Sequence, residues 1–260
     1  MTQLSVNLNK IALIRNSRDT RHPDPCEFAL EVLRAGAAGI TVHPRPDQRH
    51  IRAEDCYRLS DISTLHSGGK NPIELNIEGN PFAGRESSGR QGVGDYPGFM
   101  SLVEAIRPAQ VTLVPDSADQ LTSDHGFDIE QEGDRLLPII EEIKGWGCRV
   151  SLFMDPLPSQ IERLAGLGAD RIELYTETYA KAHADGEYGS VLAQFQEAAA
   201  IARDIGLGVN AGHDLNLENL KDFNIPDLLE VSIGHAFTID ALRYGIHDAT
   251  RRYVEALSSL

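Results

Sequence analysis

A single-domain α/β fold, a closed (β/α)8 TIM barrel over residues 1–260, is what the sequence predicts. Three observations carry the prediction. Eight short β-rich runs alternate with longer helical patterns from end to end, as repeated βα units around a parallel sheet do. The 260 residues match the about 250 of such a barrel with little left over. The turn after the first strand reads Asn9-Lys10-Ile11-Ala12, without the glycines that an open, doubly wound dinucleotide-binding sheet places there.

The strands are expected at 4–9, 39–44, 73–78, 110–115, 149–154, 171–176, 207–212 and 229–234, each a short run rich in apolar or β-branched residues. Helices are expected near 25–36, 53–66, 97–107, 133–146, 158–167, 188–205 and 216–223, with a last one over about 236–257. Pro23-Asp24-Pro25 opens the first main helix and Ala35-Gly36 closes it. Leu167-Gly168 and Ile205-Gly206 stand just before strands, where a glycine forms a left-handed helix C-cap. The stretch 79–98 breaks the rhythm: it holds six glycines and little periodicity. It reads either as a lid on the catalytic face or as a tolerated surface insertion.

Composition narrows the function. A net charge of −15 provides no general field for nucleic acid, so none is expected as a partner. No run approaches the roughly 20 apolar residues of a membrane helix, and Asn7, Asn9 and Lys10 stand where a signal peptide would carry its apolar core. A cytoplasmic protein is expected. Cys26, Cys56 and Cys148 are scattered, with no CxxC spacing, and read as small core residues rather than a disulfide or zinc framework. Basic residues are 19 Arg against 5 Lys, and arginine presents the fork of donors suited to phosphate.

Strand alternation assigns faces. Ser5, Asn7 and Asn9 oppose Leu4, Val6 and Leu8; Thr41, His43 and Arg45 oppose Ile40 and Val42; Glu74 and Asn76 oppose Ile73, Leu75 and Ile77. The apolar sets should pack on the helices, leaving the polar sets inside the barrel. There they form either a satisfied polar core layer or, at the C-terminal strand ends, an active site. Strands seven and eight both end in Gly-His, at Gly212-His213 and Gly234-His235. A glycine followed by a helix N-terminus lets backbone N–H groups approach a phosphate. Arg15, Arg18 and Arg21 after strand one, and Arg45, Arg49 and Arg52 around His50 after strand two, offer one or two ligands for a second anion.

These residues carry a resemblance. The opening run from Ser5 to Arg18 resembles the first strand and loop of the pyridoxine 5′-phosphate synthase family. So do Gly39-Ile40-Thr41-Val42-His43-Pro44-Arg45 with Arg49-His50-Ile51, Leu113-Val114-Pro115, Val209-Asn210-Ala211-Gly212-His213 and Ile233-Gly234-His235-Ala236. The resemblance implies a TIM barrel, commonly an octamer, in vitamin B6 biosynthesis, without metal or organic cofactor. It implies condensation of 3-amino-2-oxopropyl phosphate with 1-deoxy-D-xylulose 5-phosphate, giving pyridoxine 5′-phosphate, phosphate and water. Carried over by position, it makes His43, Glu74 and His213 the acid/base groups and Glu173 a carboxylate that steadies a charged intermediate. Asn7, Arg18, Asp214, Gly234 and His235 fall where the family holds the aminoketone phosphate. Arg45, His50 and Thr122, with Asn9 and Lys10 beside them, fall where it holds the sugar phosphate.

The sequence departs from the family pattern at Asn9-Lys10, where the family has Asp-His, and at Asp214, where a glycine is common. The 79–98 loop is also longer than in many relatives. Two other readings stand beside the resemblance: a Schiff-base aldolase with Lys10 as nucleophile, and a phosphate-binding barrel without chemistry.

Overall fold

The computed structural model describes residues 1–18, 20–66, 73–117 and 120–260, and the side chains of all of these but 65 and 66. Eight parallel strands close on themselves in sequence order, β8 pairing with β1. They are β1 (Gln3–Asn7), β2 (Gly39–Val42), β3 (Glu74–Gly79), β4 (Gln110–Leu113), β5 (Arg149–Met154), β6 (Arg171–Tyr175), β7 (Gly208–Gly212) and β8 (Leu228–Ile233). The closed sheet excludes the open doubly wound alternative.

The outward faces are apolar and buried: Val6, Ile40, Val42, Leu75, Ile77, Val111, Val150, Ile172, Val209 and Val231 pack under the helices. The inward face is polar. Ser5 Oγ and Thr41 Oγ1 share a hydrogen bond of 2.7 Å, and Thr112 Oγ1 donates to Asn76 Oδ1 at 3.0 Å, so these buried groups satisfy one another. The lower barrel is thus largely a hydrogen-bonded core layer, with Gln110 Nε2 and Ser151 Oγ left without a partner among the described residues.

The outer helices are α1 (Asn9–Asn16), α2 (Pro25–Arg34), α3 (Ala53–His66), α4 (Phe99–Ile106), α5 (Ile129–Gly145), α6 (Pro158–Glu162), α7 (Glu177–Ala184), α8 (Gly189–Asp204), α9 (His235–Tyr244) and α10 (Ile246–Ser258). α6 stops at Glu162 rather than near 167, and the larger differences from expectation are four. The run after β1 is the helix α1 rather than an open loop, and α7 precedes α8 on the way from β6 to β7. The segment expected as a helix at 216–223 is a 3-10 turn over Asn219–Asp222. The expected last helix is two, broken at Gly245, whose φ of 81° leaves the helical region.

The 79–98 stretch has structure of its own. Glu86 and Tyr96 form an antiparallel bridge, Tyr96 is fully buried, and Gln48 Nε2 donates to Gly94 O at 2.8 Å. Among the described residues, no helix is long and apolar enough to cross a membrane. All three cysteines are free and buried.

Candidate active site

A cavity of about 240 Å³ opens at the C-terminal rim of the barrel. Strand ends bring Asn7, His43, Glu78, Glu173, His213 and Ser232 into its wall. Asn9 and Lys10 enter from the start of α1, Arg45 and His50 from the loop after β2, Thr122 and Ser123 from the loop after β4, and Asp214, Gly234 and His235 from the last two strand ends.

His43 is 6% exposed. Its backbone N–H donates to Asn9 Oδ1 at 2.9 Å, and Asn9 N donates to Asn7 Oδ1 at 2.9 Å, so the polar turn after β1 fixes the end of β2. Burial, with Arg45 and His50 adding to it, holds the His43 imidazole well below its ordinary pKa, in its neutral form. His50 is pushed down to about 3 by burial and then by Arg45 and Arg49. Its Nδ1 accepts from Ile51 N at 2.9 Å, so its proton sits on Nε2, a neutral donor.

The carboxyls shift the other way. Burial first, then Asp116 and Glu230, raises Glu78 to about 8. Burial and the neighbouring Glu78 raise Glu173 well above its ordinary value. Two buried carboxyls facing each other hold protons at neutrality because a second charge is costly there.

His213 is packed between rings, with centroids 5.1 Å from Phe153 and 5.2 Å from Tyr175. Burial lowers its pKa, opposed by the charge of Asp214. His213 and Asp214 both have positive φ, 79° and 56°. Such backbone persists for non-glycine residues only where the surroundings hold it. Thr176 Oγ1 does so, donating to Gly212 O at 2.7 Å and to His213 O, while Asn219 Nδ2 donates to Asp214 O at 3.0 Å. Asp214 is exposed at the mouth, where water screens its charge.

The two anion-suited places are separate. Gly234 precedes α9, whose ten residues begin at His235, and the side chain of Asn7 on the adjacent β1 lies beside it, 3.1 Å from where a Cβ would stand on Gly234, so free N–H groups of the helix terminus and an amide meet at one corner. On the other side, Arg45 is 4% exposed and ion-paired with Asp116, which also accepts from Ser123 Oγ at 2.7 Å. A second cavity of about 260 Å³ adjoins the first and shares His43 and Arg45 with it. Asn80, Phe82 and Tyr96 line its outer side, so part of the 79–98 stretch walls this space.

Comparison with known proteins gives the chain its family. The description "Pyridoxal phosphate biosynthesis protein PdxJ" matches residues 4–259. The chain belongs to the PdxJ family. The pyridoxine 5′-phosphate synthase of Xanthomonas campestris pv. campestris (strain B100) is 52% identical over 259 residues, covering 99% of this chain and 96% of that one. That of Xanthomonas axonopodis pv. citri (strain 306) is 54% identical over 260 residues, covering 99% and 97%. Among solved structures, phosphoribosyl anthranilate isomerase of Thermotoga maritima superposes with a TM-score of 0.56 at 14% identity, over 100% of both chains. Tryptophan synthase of M. tuberculosis superposes with a TM-score of 0.60 at 10% identity, over 98% of this chain and 93% of that one. At such identities these two show the barrel alone.

In this PdxJ-family chain, two residues expected in the site lie elsewhere. Glu74 is the first residue of β3, at the opposite end of the barrel, ion-paired with Arg149, whose Nε donates to Gln110 Oε1 at 2.9 Å. The glutamate of β3 that lines the chamber is Glu78, on the same face but roughly 13 Å further along the strand at about 3.3 Å per residue. Arg18 is exposed just past α1 and does not line the chamber.

Arg15, weighed as an anion ligand, is instead structural. It binds both oxygens of Asp55, at 2.6 and 2.9 Å, and donates to His50 O at 3.0 Å. Asn16 Nδ2 caps the carbonyls of Gln48, Arg49 and His50. Together they brace the loop that carries His50. Glu78 and Asp116 are the groups that sequence reasoning missed. Glu78 was findable, since it shares the parity of Glu74 and Asn76 and stands at the strand's end, whereas nothing local marks Asp116.

Proposed function

We propose that this chain is a pyridoxine 5′-phosphate synthase, joining 3-amino-2-oxopropyl phosphate to 1-deoxy-D-xylulose 5-phosphate in a transferase-type, ring-closing condensation. The observation that carries this reading is one chamber in which protonated carboxyls and neutral imidazoles meet between two anion-suited corners. Imine formation, loss of phosphate and loss of water all move protons, so such a chamber needs both a ready acid and a ready base at neutral pH.

His43, neutral, takes the proton at the condensing carbon, and Glu78, protonated, returns one to the developing hydroxyl or leaving oxygen. His213, also neutral, takes a proton released in an earlier step and returns it at a later one, and Glu173 steadies the cationic intermediate once it gives up its own proton. The α9 terminus at Gly234 and His235, with Asn7, holds the aminoketone phosphate. Arg45, His50 and Thr122 hold the sugar phosphate, with Lys10 beside them as a further cation. The reading asks for no metal or organic cofactor, and it carries with it a cytosolic homo-oligomer, an octamer as in the family.

Incubating the purified chain with both phosphorylated substrates, and following pyridoxine 5′-phosphate by absorbance and mass, tests the proposal. Absence of that product with both substrates present overturns it. A borohydride-trapped adduct on Lys10 would instead favour the aldolase reading.

A further inference from the structure

A third cavity, of about 440 Å³, lies away from the chamber and shares none of its lining residues. Arg15, Arg21, Arg52 and Arg58 line it, against the carboxylates of Asp24 and Glu54. In a chain of net charge −15, four guanidinium groups around one hollow are a local reversal of sign.

Two of the four are taken. Arg15 is saturated by Asp55. Arg58 is held by both oxygens of Asp24, at 3.1 and 2.5 Å, and Asp24 in turn caps α2 through Cys26 N. The other two are less engaged. Arg21 is exposed and has no partner among the described residues. Arg52 is 9% exposed; its Nη1 reaches Glu54 Oε1 at only 3.3 Å, and its buried Nε has no hydrogen-bond partner.

A guanidinium held by a single long contact keeps N–H groups to offer, and its planar fork suits a tetrahedral oxyanion. Arg52 immediately precedes α3, whose first turn already carries the carboxylates of Glu54 and Asp55, so the field in the hollow comes from the guanidinium groups themselves. Glu54 is the one opposing group on that terminus that is free to move, its side chain being 55% exposed. Gly92, from the glycine-rich stretch, closes the outer side.

We propose that this hollow is a binding site for a small oxyanion of the phosphate class, outside the catalytic chamber and gripped by Arg52 and Arg21. The site does not depend on the reaction proposed above. It does touch that chamber's framework: Arg52 N donates to Asp55 Oδ2 at 2.8 Å, the carboxylate that Arg15 uses to hold the His50 loop.

The test uses the full chain. Crystals soaked in selenate should show an anomalous peak within hydrogen-bond distance of Arg52 and Arg21. Arg52→Gln should abolish that peak while leaving any peak in the chamber. In solution, titration with inorganic phosphate should lose one site per chain, or see it weaken about tenfold, in Arg21→Ala, an exposed change that spares the core. Glu54→Gln should tighten that site about two- to fivefold by removing the competing carboxylate. No peak in the hollow overturns the proposal. So does a peak with unchanged phosphate binding in Arg21→Ala, which marks an adventitious ion only. Because binding is read without substrates, failure here leaves the proposed reaction untouched, and a missing product leaves this site untouched.

Discussion

At neutral pH the Glu78 carboxyl, raised to about 8, keeps most of its proton, while His43, pushed down by burial, has none to give. A glutamine at 78 would keep the shape and much of the hydrogen bonding but could not pass a proton. Glu78→Gln should therefore lower kcat by about 10²- to 10⁴-fold, the usual worth of a positioned general acid or base, in steady-state assays with both substrates. Glu74→Gln makes the contrast. It should leave turnover near that of the unaltered chain and cost about 1–2 kcal/mol in urea unfolding, since it weakens a half-buried ion pair with Arg149. Alternation alone does not separate the two glutamates, for a physical reason. Alternation with period two reports which face a side chain takes, but not how far along the barrel axis it sits. That depth is set by where neighbouring strands begin to pair, and Glu74 pairs with Gly39 at the start of β2.

Among the elements, α1 does the least visible work. It has eight residues, and its buried face is Ile11, Ala12, Arg15 and Asn16. Half of that face is polar, so no apolar stripe announces it, and the same holds for α7, where Tyr179 is the buried residue. The break at Gly245 was hidden for the opposite reason, since amphipathic pattern runs on both sides of it. What α1 does is hold the His50 loop through Arg15, Asn16 and Asp55. Asp55→Ala leaves the Arg15 guanidinium buried without its counter-ion, a loss of about 3–5 kcal/mol in urea unfolding. In protein that remains folded, the KM for the sugar phosphate should rise more than kcat falls. An equal fall in both would argue against a role confined to the loop. A second change at this scale lies in β7. A Cβ built on Gly212 would fall on Glu173 Oε1 and crowd Ser232 O, so Gly212→Ala should displace that carboxyl. Stability should drop by about 1–3 kcal/mol, with a larger proportional loss of activity. A thermal-shift series read beside turnover separates the two effects.

For the molecule as a whole, the barrel and its strand order were legible because they rest on a local pattern repeated eight times, and the polar interior because alternation showed it in the first three strands. The two cavities beyond the chamber were not, because each is assembled from loops distant in sequence: the 79–98 stretch with the loop after β2, and the turn after α1 with the start of α3. The burial of opposite titrating groups in one chamber also gives the whole chain a distinctive stability profile. Native Glu78 holds a proton up to about pH 8, whereas the unfolded chain releases it near 4.5. Across that window the native state binds more protons, so stability falls as pH rises. Glu230, raised to about 7 by burial, acts in the same sense. Native His50 loses its proton near 3, whereas the unfolded imidazole keeps it up to 6.5. There the unfolded state binds more protons, so stability rises with pH, and His43 adds to that limb. The two trends oppose each other between pH 4.5 and 6.5, where the profile should be broad. Above 6.5 only the carboxyls remain, and stability should decline until about pH 8. Glu78→Gln removes one of them. The difference in unfolding free energy between this variant and the unaltered chain should therefore grow in the variant's favour from about pH 5 to 8 and then level off. Taking the difference cancels the self-repulsion of a chain at −15. Urea midpoints measured from pH 4 to 9 on both proteins give that curve. Parallel profiles across the window would mean that Glu78 is ionised in the folded chain and cannot be the acid.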